Sequence, residues 1–210
     1  MQDFFSFLLS IDKQLVLWLS TLGPWTYLVL FLVIFCETGL VVTPFLPGDS
    51  LLFVAGSLAT QPSLNIFALL VLLIAASFLG NQLNYTLGRF IGPKVFRFKN
   101  SWLLNQKHLR EAHQFYERHG KMTLIIARFI PIIRTFAPFV AGVGTMSLPL
   151  FTVYNAVSAV LWVGSLLMTG YFLGSIPFLQ VHLSLVIYGI IVVSLLPVGV
   201  AFCNRRLSQG

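Results

Sequence analysis

Three long stretches of this sequence carry no Asp, Glu, Lys or Arg: Gln14 to Cys36, Ser50 to Gly88 and Thr135 to Asn204. A helix needs about 20 apolar residues to cross a ~30 Å hydrocarbon core. Each stretch can therefore cross a bilayer, and the last is long enough to do so twice. Charged residues make up 9% of the chain, against about 25% in an average soluble domain. The sequence predicts an all-α membrane protein, with full spans at Trp25–Val42, Leu64–Leu87, Leu150–Gly174 and Leu183–Phe202. Trp102, Trp162, Tyr27 and Tyr171 are candidates for interfacial belts.

The basic residues set the orientation. Residues 89–121 hold eight Lys or Arg and two Glu between apolar runs. Such a block belongs on the cytosolic side by the positive-inside rule, and its flanks argue against a nucleic-acid partner. The 210 residues then divide within one polytopic domain. An amphipathic interfacial helix covers residues 1–22, with a tilted span as the alternative. A first repeat follows at 23–88, then the basic cytosolic loop at 89–121. A second repeat runs over 122–182, and a last span and tail over 183–210. Leu104–Arg118 is a second amphipathic stretch.

Two segments do not suit ordinary helices. Thr43–Thr60 contains Pro44, Pro47 and Gly48, and Met122–Thr145 contains Pro131, Pro138 and Gly142. Proline removes a backbone donor, and the groups it frees must be buried in protein or meet water. A pair of re-entrant hairpins satisfies this. Parity supports the second one: if Met122–Thr145 enters and returns, Arg205 and Arg206 finish in the cytosol with the basic loop. The hairpins also share a pattern. Phe45-Leu46-Pro47 precedes Phe53-Val54-Ala55-Gly56, and Phe129-Ile130-Pro131 precedes Phe139-Val140-Ala141-Gly142. Entered from opposite sides, they form an inverted repeat, the layout of many secondary transporters.

Only Glu37, Asp49, Arg128 and Arg134 place charge well inside the apolar regions. Each costs ~2.5–3.5 kcal/mol at the bilayer centre, and their formal sum is zero. That predicts pairing between hairpins, Asp49 on one with Arg134 on the other. Arginine stays protonated and offers a fork suited to phosphate oxygens, whereas the two acids can accept protons. Arg128 and Arg134 are thus the candidate phosphate-binding residues, and Glu37 and Asp49 the candidate proton-coupling residues. The alternative is that the four charges only lock the hairpins together.

No catalytic constellation accompanies them. The chain has no G-x-S-x-G, no H-E-x-x-H and no membrane-depth histidine beside an acid, so no enzyme is expected. His108, His113, His119 and His182 fit no metal spacing, and Cys36 and Cys203 fit neither a zinc site nor a disulfide framework. No cofactor and no metal are expected. Asn81, Asn84 and Tyr85 lie on one helical stretch and suit either a cavity wall or helix–helix hydrogen bonds. Arg89 reads as an interface anchor.

Glu37-Thr38-Gly39, Phe45-Leu46-Pro47-Gly48-Asp49-Ser50, Gly88-Arg89 and the run from Ala127 to Gly142 resemble the DedA family of VTT-domain membrane proteins. The resemblance covers nearly the whole chain from about Gly23 to Phe202. It implies an inner-membrane lipid translocator for a phosphate-bearing lipid such as undecaprenyl phosphate or phosphatidylethanolamine, coupled to protons. It also implies that Glu37 and Asp49 match the family's functional acids, and Arg128 and Arg134 its functional arginines. Gly80-Asn81 departs from the Gly-Asp expected in many relatives. The partners expected are an anionic or zwitterionic phosphate lipid and the proton, and a homo-oligomer is compatible with the sequence. A non-transporting membrane-organising protein, or an intramembrane lipid phosphatase, is the alternative function.

Overall fold

The computed structural model of the protein describes residues 23–40, 48–61, 64–95 and 122–176. Every regular element among them is helical. Helix α1 spans Trp25–Gly39, α2 Gly48–Leu58, α3 Ile66–Val95 and α4 Thr123–Ile126. A 3-10 turn at Ala127–Phe129 follows α4, α5 spans Pro131–Val140 and runs into a π-helical turn at Ala141–Thr145, and α6 spans Leu148–Gly174.

The local chemistry explains the breaks. Ile130 is extended (φ −117°, ψ 106°), as a residue before proline must be. Pro131 then opens α5, where its missing N–H is one the first turn would leave unpaired anyway. Inside α5, Pro138 cannot donate to the Arg134 carbonyl four residues back. The helix beyond it relaxes into the π turn, closed by Met146 N–H on the Ala141 carbonyl.

Among the described residues two helices are long and apolar enough to cross a membrane, Ile66–Phe90 within α3 and Leu148–Gly174, with mean hydropathy 2.2 and 1.7. Their surfaces are reversed relative to a water-soluble helix. α6 buries Asn155, Ser158 and Trp162, while Val153, Val157, Val160 and Leu161 are exposed. Polar groups inside and branched aliphatics outside make sense when the surroundings are lipid. The protein is a helical membrane protein.

The helices form two interlocked units. α1 packs on α3 in the first, and α4 on α6 in the second. The short helices are exchanged: α2 lies against α6, and α5 with its π turn lies against α3. Both crossings are made by glycine at matching positions. A Cβ on Gly56 would overlap the Leu167 carbonyl and Tyr171 N, and one on Gly170 would overlap the Phe53 carbonyl. Likewise a Cβ on Gly142 would meet the Tyr85 carbonyl and Arg89 N, and one on Gly88 the Phe139 carbonyl. The two F-V-A-G motifs therefore do the same job on each other's long helix, the reciprocal contact that a two-fold relation produces.

Of the residues expected to form the hairpins, Gly48 is the first residue of α2, Pro138 lies in α5 just before it gives way to the π turn, and Gly142 lies within that turn. At Gly48 and Gly142 the missing side chain serves close packing. α3 continues to Val95, so the loop expected from residue 89 begins inside a helix. Charge marks where apolar sequence stops, whereas backbone hydrogen bonding carries on past it. Pro44, Pro47, the interfacial helix at 1–22, Leu104–Arg118, Trp102, the four histidines and the span Leu183–Phe202 lie outside the described residues.

Candidate functional site

Glu37 sits near the end of α1 with its side chain fully buried (0% exposed). It points at the start of α2, where a Cβ on Gly48 would overlap both of its carboxylate oxygens. Asp49 occupies the first turn of α2, where a negative charge faces the positive end of the helix dipole. Its side chain is 22% exposed. Arg134 lies in the first turns of α5, its backbone N–H bonded to the Ile130 carbonyl at 2.8 Å.

These three side chains meet. Arg134 Nη1 donates to Asp49 Oδ1 at 2.7 Å, and Nη2 donates to Glu37 Oε1. The pairing of Asp49 with Arg134 expected from sequence is present, and Glu37 shares the same guanidinium. Since Asp49 and Arg134 both lie in the opening turns of their helices, the N-termini of α2 and α5 converge on one cluster.

Arg128 is bonded to neither acid, although it lies within electrostatic range of Glu37. It belongs to the 3-10 turn and is 3% exposed. Nη1 donates to Ser77 Oγ at 2.5 Å and Nη2 to Asn155 Oδ1 at 2.9 Å. Asn155 Oδ1 also accepts from Asn81 Nδ2 at 3.1 Å, and Asn155 Nδ2 donates to the Phe78 carbonyl at 3.0 Å. Among the described residues no carboxylate is ion-paired with Arg128, and its buried Nε has no acceptor.

Trp162 joins the two regions. It is 1% exposed, so it is a core residue and not the interfacial one expected. A belt position needs one wet end, whereas here Nε1 donates to Asp49 Oδ1 at 3.0 Å. The guanidinium carbons of Arg128 and Arg134 lie 5.6 Å and 5.0 Å from its ring centroid, close enough for cation–π attraction.

Asn84 settles on the packing side of its two readings. Its Nδ2 donates to the Thr38 carbonyl at 3.2 Å and the Thr135 carbonyl at 2.9 Å, tying α1, α3 and α5 together. Tyr85 donates to the Met146 carbonyl at 2.9 Å. Arg89 is exposed and lines a cavity of about 460 Å³ with Tyr85, Met146 and Ser147, away from the charge cluster. Among the described residues no group of three His, Cys, Asp or Glu side chains could hold a metal ion.

Ser77, Asn155 and Trp162 were not singled out as site residues from sequence. The available signal was polar residues inside charge-free spans, where each needs an internal partner.

The architecture and site define a class: a helical membrane protein whose two interlocked units bring short helices and four charged side chains together in a buried cluster. The sequence profile of the VTT domain matches residues 46–172. Protein DedA of Escherichia coli K12 is 53% identical over 193 residues, covering 91% of this chain and 88% of that protein. An uncharacterised membrane protein of Mycobacterium leprae is 44% identical over 177 residues, covering 84% and 79%. Inner membrane protein YghB of E. coli K12 is 37% identical over 158 residues, covering 74% and 71%. No solved structure matches the chain. The chain belongs to the DedA family of VTT-domain membrane proteins.

Proposed function

We propose that the protein moves a phosphate-bearing lipid, of the undecaprenyl phosphate or phosphatidylethanolamine kind, across the inner membrane in a proton-coupled cycle. It acts as a transporter and not as an enzyme, with residues 89–121 and the C-terminus on the cytosolic side. The observation that carries this reading is the meeting of two short-helix N-termini with two buried arginines and two acids.

At 1.5 Å per residue, α2 and α5 reach only about 15–17 Å, half of a ~30 Å core. We read them as the inner limbs of two re-entrant hairpins. Half-helix N-termini aimed at a common point suit an anionic group, and arginine adds the bidentate fork that phosphate fits. Arg134 is held by Glu37 and Asp49 in this state. Protonating an acid weakens that hold and frees donors for phosphate. Release of phosphate favours re-forming the ion pair. Binding and protonation then assist each other, as linkage requires.

The test is lipid movement in proteoliposomes containing the purified protein. Fluorescent phosphate lipid should cross faster than in protein-free vesicles, and an imposed proton gradient should change the rate. The Arg134 bridge itself favours a second reading, a membrane-organising protein in which the charges are a lock. Folded, correctly inserted protein that moves no phosphate lipid under either condition would establish that alternative.

A further inference from the structure

The two arginines look equivalent in the sequence but are bonded to different kinds of partner. Arg134 lies between two carboxylates, so that group of three carries a net charge of −1 when all are ionised. Arg128, equally buried, makes its hydrogen bonds only to neutral oxygens, Ser77 Oγ and Asn155 Oδ1, with the Trp162 ring against it and Glu37 within electrostatic range. The oxygen from Asn155 is itself shared with the neutral amide of Asn81.

We propose that Arg128 is the anion receptor of the resting protein, held ready by a neutral cradle of Ser77, Asn155 and Asn81, while Arg134 is engaged as a latch. The ligand is a phosphate monoester or diester anion, and this inference rests on the transport reading above. Burying a cation with no counter-ion bonded to it is costly, and a guanidinium has five N–H donors. Two of them reach Ser77 and Asn155, and Nε–H meets no acceptor among the described residues. A bound anion supplies a directly bonded charge and the missing Nε–H acceptor together. Arg134 has both of its Nη groups on carboxylates, so an anion must first displace an acid there.

Asn81 and Asn155 are positioning residues in this scheme. Asn155 orients the fork through Oδ1 and is fixed in turn by the Phe78 carbonyl. Asn81 keeps the region neutral. A carboxylate at position 81 would supply a counter-charge beside Arg128. It would also lose the amide that donates to Asn155 Oδ1, so the aspartate acts as a built-in competitor that turns Asn155 or takes Arg128 directly.

The experiment measures binding to purified full-length protein in nanodiscs. The probes are inorganic phosphate, a short-chain phosphatidate and a phosphate-free diacylglycerol. The variants are Asn81→Asp, Asn81→Ala, Arg128→Gln and Arg134→Gln, with insertion and monodispersity checked for each. Phosphatidate affinity is expected to fall at least about tenfold in Asn81→Asp and Arg128→Gln, the size of one lost charge-assisted contact, and by a smaller factor in Arg134→Gln, whose donors reach phosphate only after an acid is displaced. Parallel losses with inorganic phosphate identify the phosphate group itself as the ligand. A loss confined to phosphatidate identifies a lipid headgroup. If Arg128→Gln does not fold, Asn81→Asp carries the test by comparison with Asn81→Ala, which loses the same donor to Asn155 without adding charge. Wild-type protein that binds phosphatidate with equal dependence on the two arginines, or with no effect of Asn81→Asp, overturns the division of roles and leaves the transport reading standing. Wild-type protein that binds phosphatidate no better than diacylglycerol overturns both.

Discussion

Replacing Arg134 by glutamine tests how the charge cluster is held. The substitution keeps a polar side chain of moderate length but leaves two carboxylates without their cation. Removing one partner of a buried pair costs about 3–5 kcal/mol, because the remaining charge is stranded. The two acids should not share this cost equally. The Glu37 side chain is 0% exposed, while that of Asp49 is 22% exposed and keeps the Trp162 N–H. A partly exposed pair is worth only about 0–1 kcal/mol, so most of the penalty belongs to Glu37. For a chain of this size each kcal/mol is about 2–4 °C in Tm, and Arg134→Gln should melt about 6–20 °C below wild type. Adding Glu37→Gln should recover most of that loss, since two neutral amides can pair. Adding Asp49→Asn should recover little. The assay is thermal unfolding of purified protein in one fixed detergent, followed by intrinsic fluorescence at a fixed scan rate. Equal recovery by the two second substitutions, or Arg134→Gln melting within about 2 °C of wild type, would refute the assignment of the cost to Glu37.

Gly142→Ala drives a Cβ into the Tyr85 carbonyl and should destabilise by about 1–3 kcal/mol, while Gly164→Ala, which meets nothing within 4 Å, should be neutral or slightly stabilising in the same melting assay. Trp162→Phe keeps an aromatic face for both arginines but deletes the donor to Asp49, so it should cost about 1–2 kcal/mol; Trp162→Leu should cost more, and equal Tm losses for the two would remove the cation–π argument. Glu37→Gln and Asp49→Asn should each flatten the dependence of phosphate-lipid movement on an imposed proton gradient in proteoliposomes, because an amide cannot take up the proton. An unchanged gradient dependence in both variants would mark the acids as structural.

Some of this arrangement was legible in the sequence, for identifiable reasons. A charge in hydrocarbon is costly unless it finds a partner or water, so Glu37, Asp49, Arg128 and Arg134 stood out, and the sum of their charges suggested the Asp49–Arg134 pair. The partners of Arg128 were not legible. Ser77 and Asn155 are neutral, lie 51 and 27 residues away, and face Arg128 only because of the way α3 and α6 pack on the rest. Trp162 was misplaced for the same reason: sequence shows that a tryptophan lies in a span, but not which face of the helix carries it. The glycines were visible, but the close packing they permit was not. Glycine marks either a backbone that must turn or one that must be approached, and the choice between them depends on the neighbouring helix. The repeated F-V-A-G motif was plain, whereas its role as a contact on the opposite unit's long helix was not.

That exchange of short helices bears on what movement in this protein must cost. The bonds from Arg134 to Glu37 and Asp49, and from Arg128 to Ser77, all join one unit to the other. The glycine crossings at Gly56–Gly170 and Gly88–Gly142 do the same. These two sets of contacts respond differently to displacement. Backbone-to-backbone packing is lost over a fraction of an ångström, because its energy comes from many short contacts. Attraction between charges fades slowly with distance, and a proton or a phosphate can replace one partner outright. Sliding a short helix along its long helix is therefore opposed by the glycines, whereas opening about them is opposed mainly by the charges. An opening that pivots on the glycine crossings and breaks the Arg134 bridge is the cheaper motion, and it is the one that protonation and anion binding are chemically able to control.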